Sequence, residues 1–452
     1  MNSFVRYIVE NGGKEYRLVY NQDVLKGQFS SCNTTCAWFN DELVINSRLV
    51  NYRKIFQSNN IRLIEDKNAQ TYLYLKNGFD TKNVTSRFAD GNLVDVKEII
   101  YSPPNLQNVY YRGLEDIRFV VWDGKLYSYG TRWDKVVDKG CICLHELDDN
   151  LTPINETIIL PQSSNNCEKN WGAIEDKPFT FMYANNPITV VKINKDGYCW
   201  LYKQHEKNEK FKDWIKGSSQ IIRYDNNTYI SLVHTNKHFN EGEISRTDYV
   251  TAFAFYDNDL NLIKLSDWFV FKNPMCEFTC GLAIHDNDVY ITYSQFDCTS
   301  NLLVTNKEAI ETFMKLPNNS VKQYEFMDYY LLAKDYEGKL QYNTAYGLYN
   351  YAALLNSNQY PDLQEECLVK AFCGVLEQLP ELRVNRYLWQ VVNCLKNIIN
   401  KHPNTCEFYY ILSSAYKIAH DYDNYKFFKK LGDERKLNIH NYFFKYLNPN
   451  YL

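Results

Sequence analysis

Several features are missing from this 452-residue chain, and each absence removes a class of protein. No stretch approaches the roughly 20 consecutive apolar residues of a membrane span. The opening Met1-Asn2-Ser3-Phe4-Val5-Arg6 lacks the apolar centre of a signal peptide. The expectation is a soluble, cytoplasmic protein. Charge of one sign is also missing: 50 Lys and Arg face 54 Asp and Glu, with no basic stripe. A nucleic-acid partner, which needs a clustered positive face, is therefore not expected. There is no Gly-rich phosphate loop and no metal-ligand motif, so neither a nucleotide-fold partner domain nor a cofactor is anticipated. The 13 cysteines are scattered and odd in number. Cys32 and Cys36 share a spacing with Cys276 and Cys280, but neither pair forms a Cys-x-x-Cys turn, and buried free thiols are the simpler reading than a zinc site.

Aromatic residues are abundant by contrast: 38 Tyr, 25 Phe and 8 Trp make up 16% of the chain. Tyr and Trp suit strands, and their flat faces also suit sugars. Between about residues 30 and 310 one small unit recurs, a strand, a polar turn and a Tyr-rich strand. Copies centre on Asn40-Asp41, on Asp123-Gly124, on the less regular Lys177 to Tyr183, on Asp225-Asn226-Asn227 and on Asp286-Asn287-Asp288. Five repeats of about four short strands each are the signature of a five-bladed β-propeller, whose loops converge on one mouth of a central channel. The fold class expected is mainly β, a propeller over residues 1–310 with blades from about residue 25. Residues 311–452 read as an α-helical region with one tetratricopeptide-like helix pair, Phe408–Ala419 and Tyr425–Lys430. Apolar residues there recur at helical spacing, as in Leu368, Ala371, Phe372, Val375 and Leu376, and Pro380 and Pro403 mark helix boundaries. This tail covers a propeller edge, self-associates or docks a protein partner.

Chemistry concentrates at Gly113-Leu114-Glu115-Asp116-Ile117-Arg118. Two carboxylates and an arginine stand where the chain enters the hairpin Phe119–Trp122, Asp123-Gly124, Lys125–Tyr129. Alone, this is an Asp–Arg pair that holds a strand end. The other copies open on matching polar residues: Asn33, Arg48 and Asn51; Lys169, Asn170 and Trp171; Gln220 and His234; Glu277 and Asp297. A phosphate needs clustered cations, and Arg48, Lys169 and His234 are the candidates. Trp171 is either a sugar-stacking platform or a blade-packing residue. An Asp ordinarily titrates too low to be an acid near neutrality. Glu115 and burial would raise Asp116, whereas a direct arginine contact would lower it.

Three motifs carry a resemblance: Gly113-x-Glu115-Asp116-x-Arg118, Lys169-Asn170-Trp171 and Glu277-Phe278-x-x-Gly281-Leu282. They resemble the five-bladed propellers of the mannoside phosphorylase family and, more closely, the related propellers of sugar-transferase proteins. The family's first motif usually reads Gly-x-Glu-Asp-Pro-Arg, and here Ile117 replaces the proline. Thr34 follows Asn33 where such propellers often show Asn-Pro-Ser. The resemblance spans roughly residues 25 to 310. It implies that Asp116 is the catalytic acid, delivering its proton to the glycosidic oxygen by way of a sugar hydroxyl while phosphate attacks the anomeric carbon.

The leading expectation is therefore a glycosyl-transfer enzyme. It would move a hexose, with mannose the sugar implied, between a sugar phosphate or nucleotide sugar and a glycan acceptor. An inverting glycoside hydrolase would instead oppose Asp116 with Glu277 or Asp297. A propeller without catalysis, binding glycan or protein, is the third reading.

Overall fold

In the computed structural model the described residues are 1–25, 29–56, 70–74, 79–101, 111–134, 138–159, 167–207, 215–241, 244–355, 359–382 and 385–435. Five blade sheets follow one another along the chain, and a separate antiparallel pair joins Tyr52–Phe56 to Gln70–Tyr74. The first blade comprises Ser30–Phe39, Glu42–Val50, Phe79–Ala89 and Asn92–Ile99. The second comprises Glu115–Trp122, Lys125–Asp134, Lys139–Leu147 and Pro153–Ile159. Gly172–Ala173, Thr180–Asn185, Ile188–Ile193 and Cys199–Gln204 form the third. In the fourth, a broken inner strand, Lys216–Gly217 and Ile222–Arg223, pairs with Thr228–Glu241, and Ile244–Asp257 and Leu262–Leu265 follow. The fifth blade has Glu277–His285, Asp288–Gln295 and Asn301–Asn306 from this end of the propeller. Its outer strand, Lys14–Arg17, comes from the start of the chain and pairs antiparallel with Asn301–Val304. This strand exchange closes the ring, and the blades so completed are five.

Local sequence explains the hairpins. Asn40 and Asp41, Asp90 and Gly91, and Asp123 and Gly124 all have positive φ. That pair of conformations makes the type I′ turn whose twist matches the strands, and Asn, Asp and Gly reach it most readily. Burial then proceeds blade against blade. Phe39, Val44, Phe119 and Leu126 fill the gap between the first and second blades, and Trp122, Tyr129, Trp171 and Phe181 fill the next. Met182, Val190, Tyr229 and Ala252 join the third to the fourth. Phe253, Phe269, Leu282 and Ile291 join the fourth to the fifth, and Ile45, Leu49, Ala283 and Leu302 return to the first. Most of the aromatic excess is accounted for by these wedges and by the helical core.

Two short helices, α1 (Phe4–Glu10) and α2 (Gln22–Leu25), precede the first blade. Phe4 of α1 seals the fourth–fifth junction together with Phe313 of α3 (Lys307–Phe313). Then come α4 (Phe326–Gly338), α5 (Tyr342–Leu354), α6 (Pro361–Leu382), α7 (Asn385–Lys401), α8 (Cys406–Ile418) and α9 (Tyr422–Glu434). Pro403 lies just past α7, as expected. Pro380 does not end a helix: it falls within the last turn of α6, whose start is Pro361. The α4–α9 core is continuous with Met275, Cys276, Phe296 and Cys298 of the fifth blade. No helix among the described residues is long and apolar enough to cross a membrane.

Candidate functional site

The innermost strand of the second blade begins with a β-bulge. Arg118 pairs with Tyr129 and Glu115 with Thr131, so Asp116 and Ile117 together face only Gly130. A bulge turns one side chain out of the alternating pattern. Here Ile117 goes into the first–second blade core while Asp116 (φ 52°) turns toward the channel mouth. The first blade repeats the device: Asn33 (φ 42°) and Thr34 bulge between Cys32 and Thr35. Asn170 (φ 65°) and Asp297 (φ 53°) are also left-handed at the mouth. Asn and Asp reach that conformation at less cost than other side chains, so one residue type serves both backbone and chemistry. Two glycines permit the geometry. At Gly113 (φ 91°) a Cβ would stand 1.9 Å from the Thr81 carbonyl oxygen, and at Gly130 it would stand 2.6 Å from that of Glu115.

These residues enclose a polar cavity of about 200 Å³. Of the residues expected from sequence, Asn33, Arg48, Glu115, Asp116, Lys169, Asn170, His234 and Asp297 line it. Tyr52, Lys216, Asn236, Tyr249, Cys276 and Phe278 complete the wall. Lys216 had a signal of its own: it opens the fourth blade just before Gly217-Ser218-Ser219-Gln220, as Lys169 opens the third just before Asn170-Trp171-Gly172.

The other expected residues lie elsewhere. Arg118 sits behind the wall, donating to the backbone carbonyls of Asp116 (2.8 Å) and Ser218 and to Asn170 Oδ1 (3.3 Å). Trp171 is a packing residue, 1% exposed, with its indole N–H on Glu168. Gln220 donates to the carbonyls of Cys36 (3.1 Å) and Leu282 (2.6 Å), tying the fourth blade to the first and fifth. Asn51 is buried beside Tyr52 and is not part of the cavity wall. Glu277 does not face Asp116. Its carboxylate accepts the backbone N–H groups of Phe271, Lys272 and Asn273 at 2.7–2.9 Å and the Gln295 amide at 3.0 Å. Burial pushes its pKa up to about 8 despite these donors.

The acidic side is organised by Arg48, itself 3% exposed. Its guanidinium reaches Asp116 Oδ1 at 3.0 Å, Glu115 Oε1 at 3.2 Å and the Thr81 hydroxyl at 3.2 Å. The Asn33 amide donates to the same Asp116 oxygen at 2.7 Å. Burial pushes the Asp116 carboxyl up, but Arg48, Arg118, the Asn33 hydrogen bond and Lys169 together hold it below the ordinary value. The sequence-based expectation that Glu115 and burial would raise Asp116 is thus reversed by a direct arginine contact, made by Arg48 rather than Arg118. Glu115 is the partner that rises, through burial and the Asp116 charge, with Arg48 and Lys169 opposing. The pair is split into an ionised Asp116 and a more readily protonated Glu115.

Across the cavity stand Lys169 and Lys216, neither with a carboxylate within 4.0 Å among the described residues. Burial and the neighbouring Lys169 charge lower the Lys216 pKa. His234 is 4% exposed and stacks on Tyr249 at 6.0 Å, with Nδ1 2.7 Å from the Ser218 hydroxyl. Burial, then Lys216, Arg118 and Lys169, push its pKa down to about 3, so its ring is neutral near pH 7. Asp297 Oδ2 accepts a hydrogen bond from the Tyr52 hydroxyl at 2.9 Å. One opening thus gathers an Arg48-paired acidic couple, Asp297 and two lysines.

No protein-family model and no curated protein matches the chain. Among solved structures, it is similar to a mannose phosphorylase from Leishmania mexicana in complex with phosphate, at 9% identity and TM-score 0.42, over 66% of this chain and 89% of that one. It is similar to the β-1,2-mannobiose phosphorylase of Listeria innocua at 12% identity and TM-score 0.44, over 67% and 100%. A GDP-Man-dependent mannosyltransferase from Leishmania mexicana gives 11% identity and TM-score 0.39, over 69% and 92%. The five-bladed assignment stands on strand order and inter-blade cores, independently of these alignments.

Proposed function

We propose that the propeller transfers a hexosyl group between a phosphate-bearing donor and a glycan acceptor, with mannose as the sugar the motifs favour. The observation that carries this reading is that one cavity holds both an Asp116 kept below its ordinary value and two lysines, Lys169 and Lys216, with no carboxylate within 4.0 Å among the described residues. In the direction of glycoside synthesis, the acceptor hydroxyl gives its proton to Asp116, directly or through a sugar hydroxyl, as its oxygen bonds to the anomeric carbon. The bond from that carbon to the phosphate oxygen breaks, and its electron pair leaves with the phosphate. Lys169, Lys216 and the neutral ring of His234 receive that charge. In phosphorolysis the same proton returns from Asp116 to the leaving oxygen. An aspartate held ionised by Arg48 is prepared as the base of the synthetic direction. In this reading Glu115 and Asp297 accept hydrogen bonds from sugar hydroxyls.

A second reading has one supporting observation. Asp297 lines the same cavity as Asp116, which keeps an inverting hydrolase open with Asp297 as the water-activating base, whereas Glu277 is committed to backbone donors. Assays with mannose 1-phosphate or GDP-mannose plus a mannooligosaccharide separate the two. Transfer releases phosphate or nucleotide only when the acceptor is present, whereas a hydrolase cleaves the oligosaccharide without phosphate.

A further inference from the structure

Asp297 reaches the cavity on an uncommon piece of backbone. Phe296 (φ 57°) and Asp297 (φ 53°) are consecutive non-glycine residues in the left-handed region. A phenylalanine there is unfavourable and persists only where surrounding structure imposes it. The propeller contributes part of that constraint, since Phe296 N–H donates to the Cys276 carbonyl at 2.9 Å and Cys298 N–H to that of Gln295 at 3.0 Å. The rest comes from the helical region. The Phe296 ring lies 4.1 Å from that of Tyr351 and 5.9 Å from that of Tyr329. The Tyr351 hydroxyl donates to Asn273, and Gln295 donates to the Tyr329 hydroxyl at 3.0 Å. The Thr344 hydroxyl donates to the Cys298 carbonyl at 3.0 Å. At Gly347, on the same helix, a Cβ would meet Cys298 Sγ at 3.3 Å, so a longer side chain there would press on the turn.

We infer that α5, through Thr344, Gly347 and Tyr351, is a positioning element that fixes the Phe296–Asp297–Cys298 turn. The helical region is in this respect the back support of the acidic cavity wall. The consequence for hexose binding rests on the transfer reading above; the clamp itself does not. Lys169, Lys216 and His234 come from the third and fourth blades, and α5 supplies none of the hydrogen bonds described for them. Disturbing α5 therefore loosens Asp297 and leaves Lys169 and Lys216 as they were, although Tyr249, which stacks on His234, packs against the same helical core.

The test compares Gly347→Leu and Thr344→Val with wild type, using Thr344→Ser as the conservative rescue. Amide hydrogen exchange at residues 295–299 reports the clamp. Titrations with mannose and with inorganic phosphate report the two sides of the cavity. The expected result is faster exchange at 295–299 and about tenfold weaker mannose binding in Gly347→Leu, with phosphate binding unchanged. Thr344→Val should show the same pattern more weakly, and Thr344→Ser should restore wild-type values. Unchanged exchange at 295–299 in folded Gly347→Leu overturns the clamp whatever the reaction. Faster exchange with unaltered mannose affinity leaves the clamp standing and contradicts the part given to Asp297 in the transfer reading. Parallel loss of mannose and phosphate binding shows a general structural effect and also overturns the inference.

Discussion

Replacing Arg48 by glutamine removes the cation that divides the two carboxylates, and the size of the effect follows from its contacts. Arg48 makes a 3.0 Å charge-assisted bond to Asp116, whose side chain is 18% exposed, and a 3.2 Å contact to Glu115, which is 37% exposed. A hydrogen bond between charged groups contributes about 1.5–3 kcal/mol, which corresponds to about one to two pKa units. Exposure of Glu115 to the cavity discounts its share, so the shift falls mainly on Asp116. The sign is fixed by direction. Asp116 is held below its reference value of 3.8, so it contributes stability above pH 4 that is lost as pH falls through its folded value. Glu115 is raised above 4.5, so it opposes folding as pH rises beyond that value. In the synthetic direction, Asp116 must be ionised to accept a proton. The acidic limb of the transfer rate against pH should therefore move up by about one to two pH units in Arg48→Gln. Much of the activity should return by about pH 7. A limb that stays in place, or a uniform loss at every pH, would refute the division of charge described above.

Three further outcomes follow from the same geometry. Lys169→Ala and Lys216→Ala should each weaken inorganic phosphate binding about tenfold, less at high salt, and titration calorimetry at two ionic strengths checks this. Because His234 is pushed down to about 3, the wild-type pH profile should show no inflection near 6.5 from it, and His234→Gln should retain more activity than His234→Asp. The Glu277 carboxylate accepts three backbone N–H groups, one on Oε2 and two on Oε1; Glu277→Gln turns one of these acceptors into an amide donor and should destabilise the fold by about 1–3 kcal/mol in urea unfolding. Its kcat at permissive temperature should remain near wild type.

The hairpins were legible because their turns use residues that tolerate positive φ, as Asp123-Gly124 and Asn40-Asp41 show. The blade count followed from their recurrence. The closing strand Lys14–Arg17 was not legible, because its partner near Asn301 is almost 290 residues away in sequence. A four-residue strand carries no pattern that specifies such a distant pairing. At the cavity, Asp116 and Lys169 were legible from their motifs, and Arg48 and His234 as cations of blade strands that converge on the mouth of a propeller. Glu277 and Gln220 were equally polar strand-end residues, but whether such a group faces a channel or caps backbone depends on tertiary packing alone. The charge on Asp116 was the hardest to read. It depends on Arg48, which lies 68 residues earlier on a neighbouring blade.

The most direct measurement is phosphate release from mannose 1-phosphate, and nucleotide release from GDP-mannose, with and without a mannooligosaccharide acceptor, for wild type and Asp116→Asn. The expected result is acceptor-dependent release from one of these donors by wild type and its loss in folded Asp116→Asn. Release that persists in Asp116→Asn, or oligosaccharide cleavage that needs neither phosphate nor donor, would contradict the transfer mechanism.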